Sequence, residues 1–561
     1  MTDGQPGYPG ELTAGVNVTV VTRGAGVIGA QQHALAELAS AGVPAALADA
    51  DPTLWGQGAE SEAAIRLGWL RAPHASRSLL AEIGGLAAQA RADGLDHVVL
   101  AGMGGSSLAP EVITRTAGVP LTVLDTTDPH QVATVLADRL DRTLVVVSSK
   151  SGSTVETDSH RRIFEAAFAH LGLSGPDLAR RFVAVTDPGS PLEQIAREAG
   201  YRVVLADPEV GGRYSALTAF GLVPSGLAGV QVGQLLDDAE AALAELPLAE
   251  GNPALALGAA LGGYAVDGFD KVVLADCNSG LTGFGDWAEQ LIAESTGKQG
   301  RGLLPVVVGS EDAPGFSPGP GLHLIGLGQP GGTPVNTAVS GPLGAQFLIW
   351  EYAIAVAGRL LAINPFDQPN VAESKENTQK LLEAGPLPVG EPAFTDQAVA
   401  VYADADVLRG ASDLPGVLDA LLWSLPADGY LAIMAYLDRL GDEAAGLLRD
   451  RLAARTTRPV TFGWGPRFLH STGQYHKGGP QSGVFLQVTG AVREDVQVPG
   501  QPFTLGRLQL AQALGDLGAL RGRGRPAVRL HLRDRSAGLS QLLAAAGTGG
   551  GATRQGTGDL A

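Results

Sequence analysis

His97-Val98-Val99-Leu100-Ala101-Gly102-Met103-Gly104-Gly105-Ser106-Ser107 reads as a short apolar strand that runs straight into a turn of glycine and serine. The same grammar recurs downstream, where Leu144-Val145-Val146-Val147 is followed by Ser148-Ser149-Lys150-Ser151-Gly152-Ser153-Thr154. An unbroken β-branched run has no polar face, so each strand must be covered on both sides, as in a parallel sheet. A helical stretch follows each turn. Turn amides and hydroxyls would then converge on an anion at two neighbouring helix N-termini, with no metal required.

Between residues 95 and 230 short apolar runs alternate with helix-length segments. The candidate strands are His97–Ala101, Leu121–Leu124, Leu144–Ser148, Phe182–Thr186 and Arg202–Leu205, with Pro191–Ala199 as one of the helices. This predicts an α/β fold with a doubly wound parallel sheet whose ligand sits at the C-terminal strand ends. A second unit begins near Lys271–Asp276, continues through Leu303–Val308 and Leu322–Leu327, and ends in a helix over Ala345–Leu361. A chain of 561 residues exceeds one ordinary core, so two such domains with accessory helices are expected. The boundaries read as a tail at 1–12, a first domain at 13–230 and a second at 231–395. A C-terminal α/β extension at 396–543 would complete the second domain, with a second tail at 544–561.

The net charge of −19 argues against nucleic acid and anionic membranes as partners. One cysteine, Cys277, rules out an internal disulfide framework and a cysteine-rich zinc site. No apolar run approaches the roughly 18 residues that span a bilayer, and residues 1–12 lack the regions of a signal peptide, so the cytoplasm is expected. Only six of the 39 cationic residues are lysine, and Lys150, Lys298, Lys375 and Lys477 all lie in or beside candidate site segments. A compact, mobile ammonium suits such positions where a planar guanidinium would not fit.

Five segments together resemble glucose-6-phosphate isomerase. Beside the SKSGST turn, Gly211-Gly212-Arg213-Tyr214-Ser215 is similar to that family's GGR[FY]S signature. Glu294-Ser295-Thr296-Gly297-Lys298, following Phe284-Gly285-Asp286-Trp287, resembles FGEWW…ESEGK. Phe366-Asp367-Gln368-Pro369-Asn370-Val371-Ala372-Glu373-Ser374-Lys375 resembles FDQPGVExxK, and Leu469-His470-Ser471-Thr472-Gly473-Gln474-Tyr475 resembles LHSxGQY. The last segment usually precedes the FDQP segment but follows it here, which is most similar to the isomerase half of the actinobacterial fusion of transaldolase with glucose-6-phosphate isomerase. The resemblance implies two sugar-isomerase-type sheets, a small sugar phosphate as partner, a homodimer, no cofactor and no metal. It implies the interconversion of glucose 6-phosphate and fructose 6-phosphate through a cis-enediol(ate).

That chemistry needs ring opening and then one proton carried between adjacent carbons, a task suited to a partly buried carboxylate. The resemblance assigns the base to Glu294, which ends an amphipathic stretch with Trp287, Leu291 and Ile292 on its buried side. Arg213 would stabilise the enediolate, and Lys375 with a histidine would open the ring. His470 has the matching surroundings; His323 has the family's chain order but sits in a strand-like stretch, and His476 reads as a solvated neighbour. Phosphate would be held by Ser106, Ser149, Lys150, Ser151 and Thr154, with Gly105 admitting the backbone and Gln368 bonding the sugar. Two departures stand out in FDQPNVAESK. Asn370 replaces a glycine, which a left-handed turn would tolerate, and Ala372 replaces a glutamate, leaving Glu373 to orient Lys375.

Other readings are weaker. Gly24-Ala25-Gly26-Val27-Ile28-Gly29, with Asp49 further on, matches a dinucleotide fingerprint, but the preceding strand is interrupted by polar residues. Ser295-Thr296-Gly297-Lys298-Gln299 imitates a P-loop end without its first glycine. A catalytically silent phosphosugar sensor would need neither Glu294 nor Lys375. A broader isomerase that also takes mannose 6-phosphate stays open.

Overall fold

The computed structural model describes residues 11–332 and 334–548. Three sheets organise it. The first holds five parallel strands in the order Thr122–Leu124, His97–Gly102, Thr143–Ser148, Phe182–Thr186, Arg202–Leu205. Its central pair aligns Gly102 with Ser148, so the two serine- and glycine-rich turns leave the sheet side by side. The class is α/β with mainly parallel strands, and both central strands are buried along their whole length.

The second sheet has six strands in the order Glu11–Ala14, Thr19–Arg23, Thr337–Ser340, Leu322–Gly328, Lys271–Cys277, Leu304–Val308. The first two form an antiparallel hairpin docked antiparallel on Thr337–Ser340. Two boundary expectations change as a result. Residues 11 and 12 belong to this hairpin rather than to a tail, and the chain starts in the second unit before building the first. The candidate fingerprint does follow strand Thr19–Arg23 directly, and all of it after Gly24 belongs to helix Ala25–Ser40. That strand is antiparallel to both neighbours, so the parallel βαβ unit a dinucleotide site needs is absent there.

The extension over 396–543, expected to complete the second domain, adds no strand to the second sheet. It builds a third one, in the order Phe394–Asp396, Val399–Tyr402, Ala527–Leu532, Gly483–Gly490, Tyr430–Tyr436, Val460–Trp464. The reason lies in alternation along its strands. In Tyr430–Tyr436, Leu431, Ile433 and Ala435 face a core private to this region. Tyr430, Ala432, Met434 and Tyr436 face a core shared with Val273, Ala275 and Cys277 of the second sheet. A two-sided sheet of this kind is a layer in its own right. The closing helix runs over Arg535–Gly547, so residues 544–547 are helical; residues 1–10 and 549–561 of the expected tails lie outside the described residues.

Five helices position the site: α1 (Val155–His170), α2 (Phe284–Thr296), α3 (Leu343–Leu360), α4 (Pro369–Glu383) and α5 (Leu505–Gly522). The α3 helix is buried from Leu343 through Gly358 and forms the spine of the largest core. No described helix is long and apolar enough to cross a membrane. At the start of α3 the backbone comes so close to Leu235 that a Cβ on Gly344 would stand 2.0 Å from its carbonyl oxygen. Gly344→Ala is therefore expected to lower stability by about 1–3 kcal/mol through overpacking, read as a fall in the denaturation midpoint.

Candidate functional site

Glu294 lies in the last turn of α2, and its side chain is 12% exposed. One turn earlier on the same face, Gln290 donates from Nε2 to Glu294 Oε2 at 3.0 Å and to the His470 carbonyl at 2.8 Å. On the other side Arg213 Nη1 stands 3.3 Å from Glu294 Oε1. Arg213 is buried and donates to Ser295 Oγ (2.8 Å), Gln368 Oε1 (2.8 Å), Pro365 O (2.7 Å) and Asp367 O (3.0 Å). A single guanidinium thus joins the GGRYS turn, the carboxylate and the FDQP turn. Lys298 reinforces the join from below through Asn364 O, Asp367 O and Asp367 Oδ1 at 2.6–2.7 Å. Burial, aided by the neighbouring Arg213 charge, lowers its pKa to about 8.

His470 comes from the late segment, folded back against both serine turns. Its Nε2 is 3.1 Å from Glu156 Oε1, which also accepts from Gln512 Nε2 at 2.7 Å. Burial opposes the Glu156 charge, yet His470 and Lys375 prevail and hold its pKa down at about 2. Arg467, three residues before His470, fastens the segment to the first domain through Glu111 Oε2 (2.6 Å) and Asp125 Oδ2 (3.2 Å). Gln474, four residues after it, accepts from the Asn370 amide (2.9 Å) and donates to Asn370 Oδ1 (2.8 Å) and Gly297 O (2.9 Å). Asn370 is therefore a helical residue of α4 and not the left-handed turn residue expected.

A cleft of about 480 Å3 opens between the start of α1, α4 and the His470 segment. Thr154, Glu156, Lys375 and His470 line it, so three of the residues singled out in the sequence share one cavity. Gly105 and Ser106 sit in the turn above, where a Cβ on Gly105 would fall 1.9 Å from Gly212 O. Glycine is required there because the two turns touch backbone to backbone. In the second turn Ser149 Oγ bonds Thr154 Oγ1 (3.0 Å) and accepts from the Gly152 amide (3.2 Å), while Ser151 Oγ bonds Ser153 Oγ (3.1 Å). Lys150 points elsewhere. Its ammonium pairs with Asp187 and the Pro208 carbonyl, and it does not line the cleft.

His323 is fully buried in strand Leu322–Gly328, bonded to Thr337 Oγ1 at 2.9 Å, and burial lowers its pKa to about 3. It is a strand residue of the second sheet, edge-on to Tyr264. His476 is buried rather than solvated and bonds the Tyr430 hydroxyl at 2.9 Å. Glu373 pairs with Arg523, so it is engaged away from Lys375. Gln290, Glu156, Gln474 and Gln512 were not singled out in the sequence. Gln290 alone carries a local signal, four residues before Glu294 on one helix face.

Residues 82–301 match the family model described as phosphoglucose isomerase. A glucose-6-phosphate isomerase of Acaryochloris marina is 39% identical over 215 residues, which are 36% of this chain and 40% of that protein. One of Symbiobacterium thermophilum is 29% identical over 401 residues, 58% of this chain and 87% of that protein. A crystal structure of a glucose-6-phosphate isomerase from Chlamydia trachomatis superimposes with a TM-score of 0.49 at 22% identity, covering 55% of this chain and 73% of that one. The chain thus spans 40% of the first of these relatives and most of the second. The family match contains both serine turns, GGRYS and Glu294, and leaves the FDQPN and LHSTGQY segments outside it.

Two predictions follow from these pairings. Glu156 has a depressed folded pKa, so its stabilisation is complete above the ordinary glutamate value of 4.5 and is lost as pH falls toward about 2. Wild-type urea midpoints should therefore drop more steeply between these two values than those of Glu156→Gln, by on the order of 3 kcal/mol in unfolding free energy. His323→Ala should cost about 1–3 kcal/mol of stability while leaving turnover per folded molecule unchanged, measured by denaturation and active-fraction assays on the same sample.

Proposed function

We propose that this chain is a glucose-6-phosphate isomerase, interconverting glucose 6-phosphate and fructose 6-phosphate. The observation that carries the reading is the Glu294 carboxylate in the last turn of α2, held between Gln290 and Arg213 and joined through Gln290 to His470, which lines a cleft with Lys375 and Thr154. Catalysis would start with the ring-closed sugar. Lys375 and His470 manage the protons of the C1 hydroxyl and the ring oxygen, and the Glu156 carboxylate holds the imidazole through its Nε2. Glu294 then removes the carbon-bound proton on one face and returns it to the adjacent carbon. Arg213, 3.3 Å from the same carboxylate, offers positive charge to the enediolate oxygens, worth ~3 kcal/mol for one well-aligned donor.

The phosphate would rest on the turn amides and hydroxyls of Ser106, Ser149, Ser151 and Thr154 at the start of α1, with Gln368 bonding the sugar. Lys150 would join by exchanging Asp187 for the phosphate, whose negative charge would offset the burial that lowers the lysine pKa in the unliganded pair. Glu294, Gln290, Arg213, Lys375 and His470 all belong to one chain, so the proposed cytoplasmic homodimer would carry a complete set in each subunit. A coupled assay on fructose 6-phosphate that reads both aldose products decides between a strict isomerase and one that also forms mannose 6-phosphate.

Glu294→Gln is expected to lower kcat by at least ~10³-fold while sugar phosphate still binds, because only proton transfer is lost. A near-normal kcat would remove Glu294 from the mechanism. His470→Ala should lose far more activity on the closed pyranose than on an open-chain aldehyde substrate; equal losses on both would assign His470 another role.

A further inference from the structure

A second cleft, of about 580 Å3, lies on the opposite side of α4, between that helix, α5 and the third sheet. Asn377 and Leu381 of α4 line it, Lys375, Thr378 and Gln379 face the first cleft, and Lys380 borders both. Its inner wall carries two arginines. Arg529, on strand Ala527–Leu532, is 1% exposed, with its guanidinium carbon 3.7 Å from the centroid of the Tyr402 ring and Nη2 donating to Val389 O at 2.9 Å. Arg521, in the last turn of α5, donates through Nη2 to Tyr402 O and Ala527 O, both at 3.4 Å.

What sets this pair apart is the missing counter-charge. The Nε of each is buried without an acceptor, and among the described residues neither guanidinium has a carboxylate within 4.0 Å. Burial lowers the Arg529 pKa; Tyr402 opposes this and the nearby Arg521 charge adds to it. Other buried guanidiniums meet a carboxylate, as Arg467 with Glu111 and Arg535 with Asp128; Arg525 is met only by the Pro480 and Gly479 carbonyls, but it lines no part of this cleft. Two unmatched guanidiniums in one cavity are costly unless an anion joins them. The two acidic residues of this cleft, Glu391 and Asp404, are both exposed at its outer edge, which leaves the interior cationic.

We propose that this cleft binds a small organic anion carrying phosphate or carboxylate groups, gripped by Arg521 and Arg529, with its carbon skeleton against Leu381 and Leu517. The planar fork of arginine suits both oxyanions, which it can bind through paired hydrogen bonds. Such a ligand would tie α4 to α5 from behind. Lys375 projects from the other face of α4, so occupancy would also be felt in the first cleft.

The test is isothermal titration of the full chain with citrate and, separately, with inorganic phosphate. The unsubstituted protein is expected to bind at least one of them, and Arg521→Gln to weaken that binding at least ~10-fold by removing one charge-assisted partner. Circular dichroism and the denaturation midpoint of that variant should be unchanged. Arg529→Gln should act in the same direction; should it fail to fold, the half-exposed Arg521 carries the test alone. Ser149→Ala, in the serine turn before α1, should leave citrate binding intact. Binding of citrate alone identifies a polycarboxylate site, and binding of phosphate that Arg521→Gln weakens identifies a phosphate ester site. Absence of binding to both probes, or affinity equal in Arg521→Gln and wild type, overturns the proposal. So does binding lost in Ser149→Ala but kept in Arg521→Gln, which would put the anion among the serine turns.

Discussion

The Arg213 guanidinium is the junction on which the rest of the site depends. A buried cation survives only when its donors are satisfied and its charge is met. Arg213 meets both conditions by using its fork on Ser295, Gln368 and two backbone carbonyls of the FDQP turn, and by standing beside Glu294. Its position between two elements far apart in the chain turns a local requirement, satisfied donors, into a long-range one. Lysine could not do this, since a point ammonium has no planar fork to span a carboxylate and two carbonyls. Lys298 takes the complementary role and gathers the same turn around a compact charge.

The late segment reaches this junction by a different physical route. Arg467 draws it toward Glu111 and Asp125 of the first domain, Gln290 holds the His470 carbonyl, and Gln474 clasps Asn370. Each contact joins residues distant in sequence, so chain order imposes nothing on the site once the three sheets are packed. The third sheet makes this possible: its two apolar faces separate a private core from one shared with the second sheet, which fixes the height at which His470 emerges.

Helix α4 is the wall common to both clefts. It is packed against α5 closely enough that a Cβ on Gly515 would meet Thr378 at 3.2 Å, and Glu373 pairs with Arg523 beside it.

Much was legible in the chain itself. The parallel strands at His97–Gly102 and Thr143–Ser148 and the helix that carries Glu294 in its last turn were readable because unbroken β-branched runs and a 3.6-residue period are local patterns. His470 could be preferred to His323 on its neighbours alone, and the structure has the first beside Glu156 and the cleft and the second sealed in a strand. Other features were out of reach of a local pattern. The third sheet, the N-terminal hairpin docked on Thr337–Ser340, the helical Asn370, the diversion of Glu373 to Arg523 and the Glu156 carboxylate behind His470 all depend on which surfaces meet. What the sequence determined by itself was the strands that lead into the two serine turns, the helix that carries Glu294 and the chemistry of each side chain, since these follow from near neighbours. Partnership was decided only in three dimensions, because burial, charge pairing and hydrogen-bond satisfaction are properties of the space around a residue and not of its place in the chain.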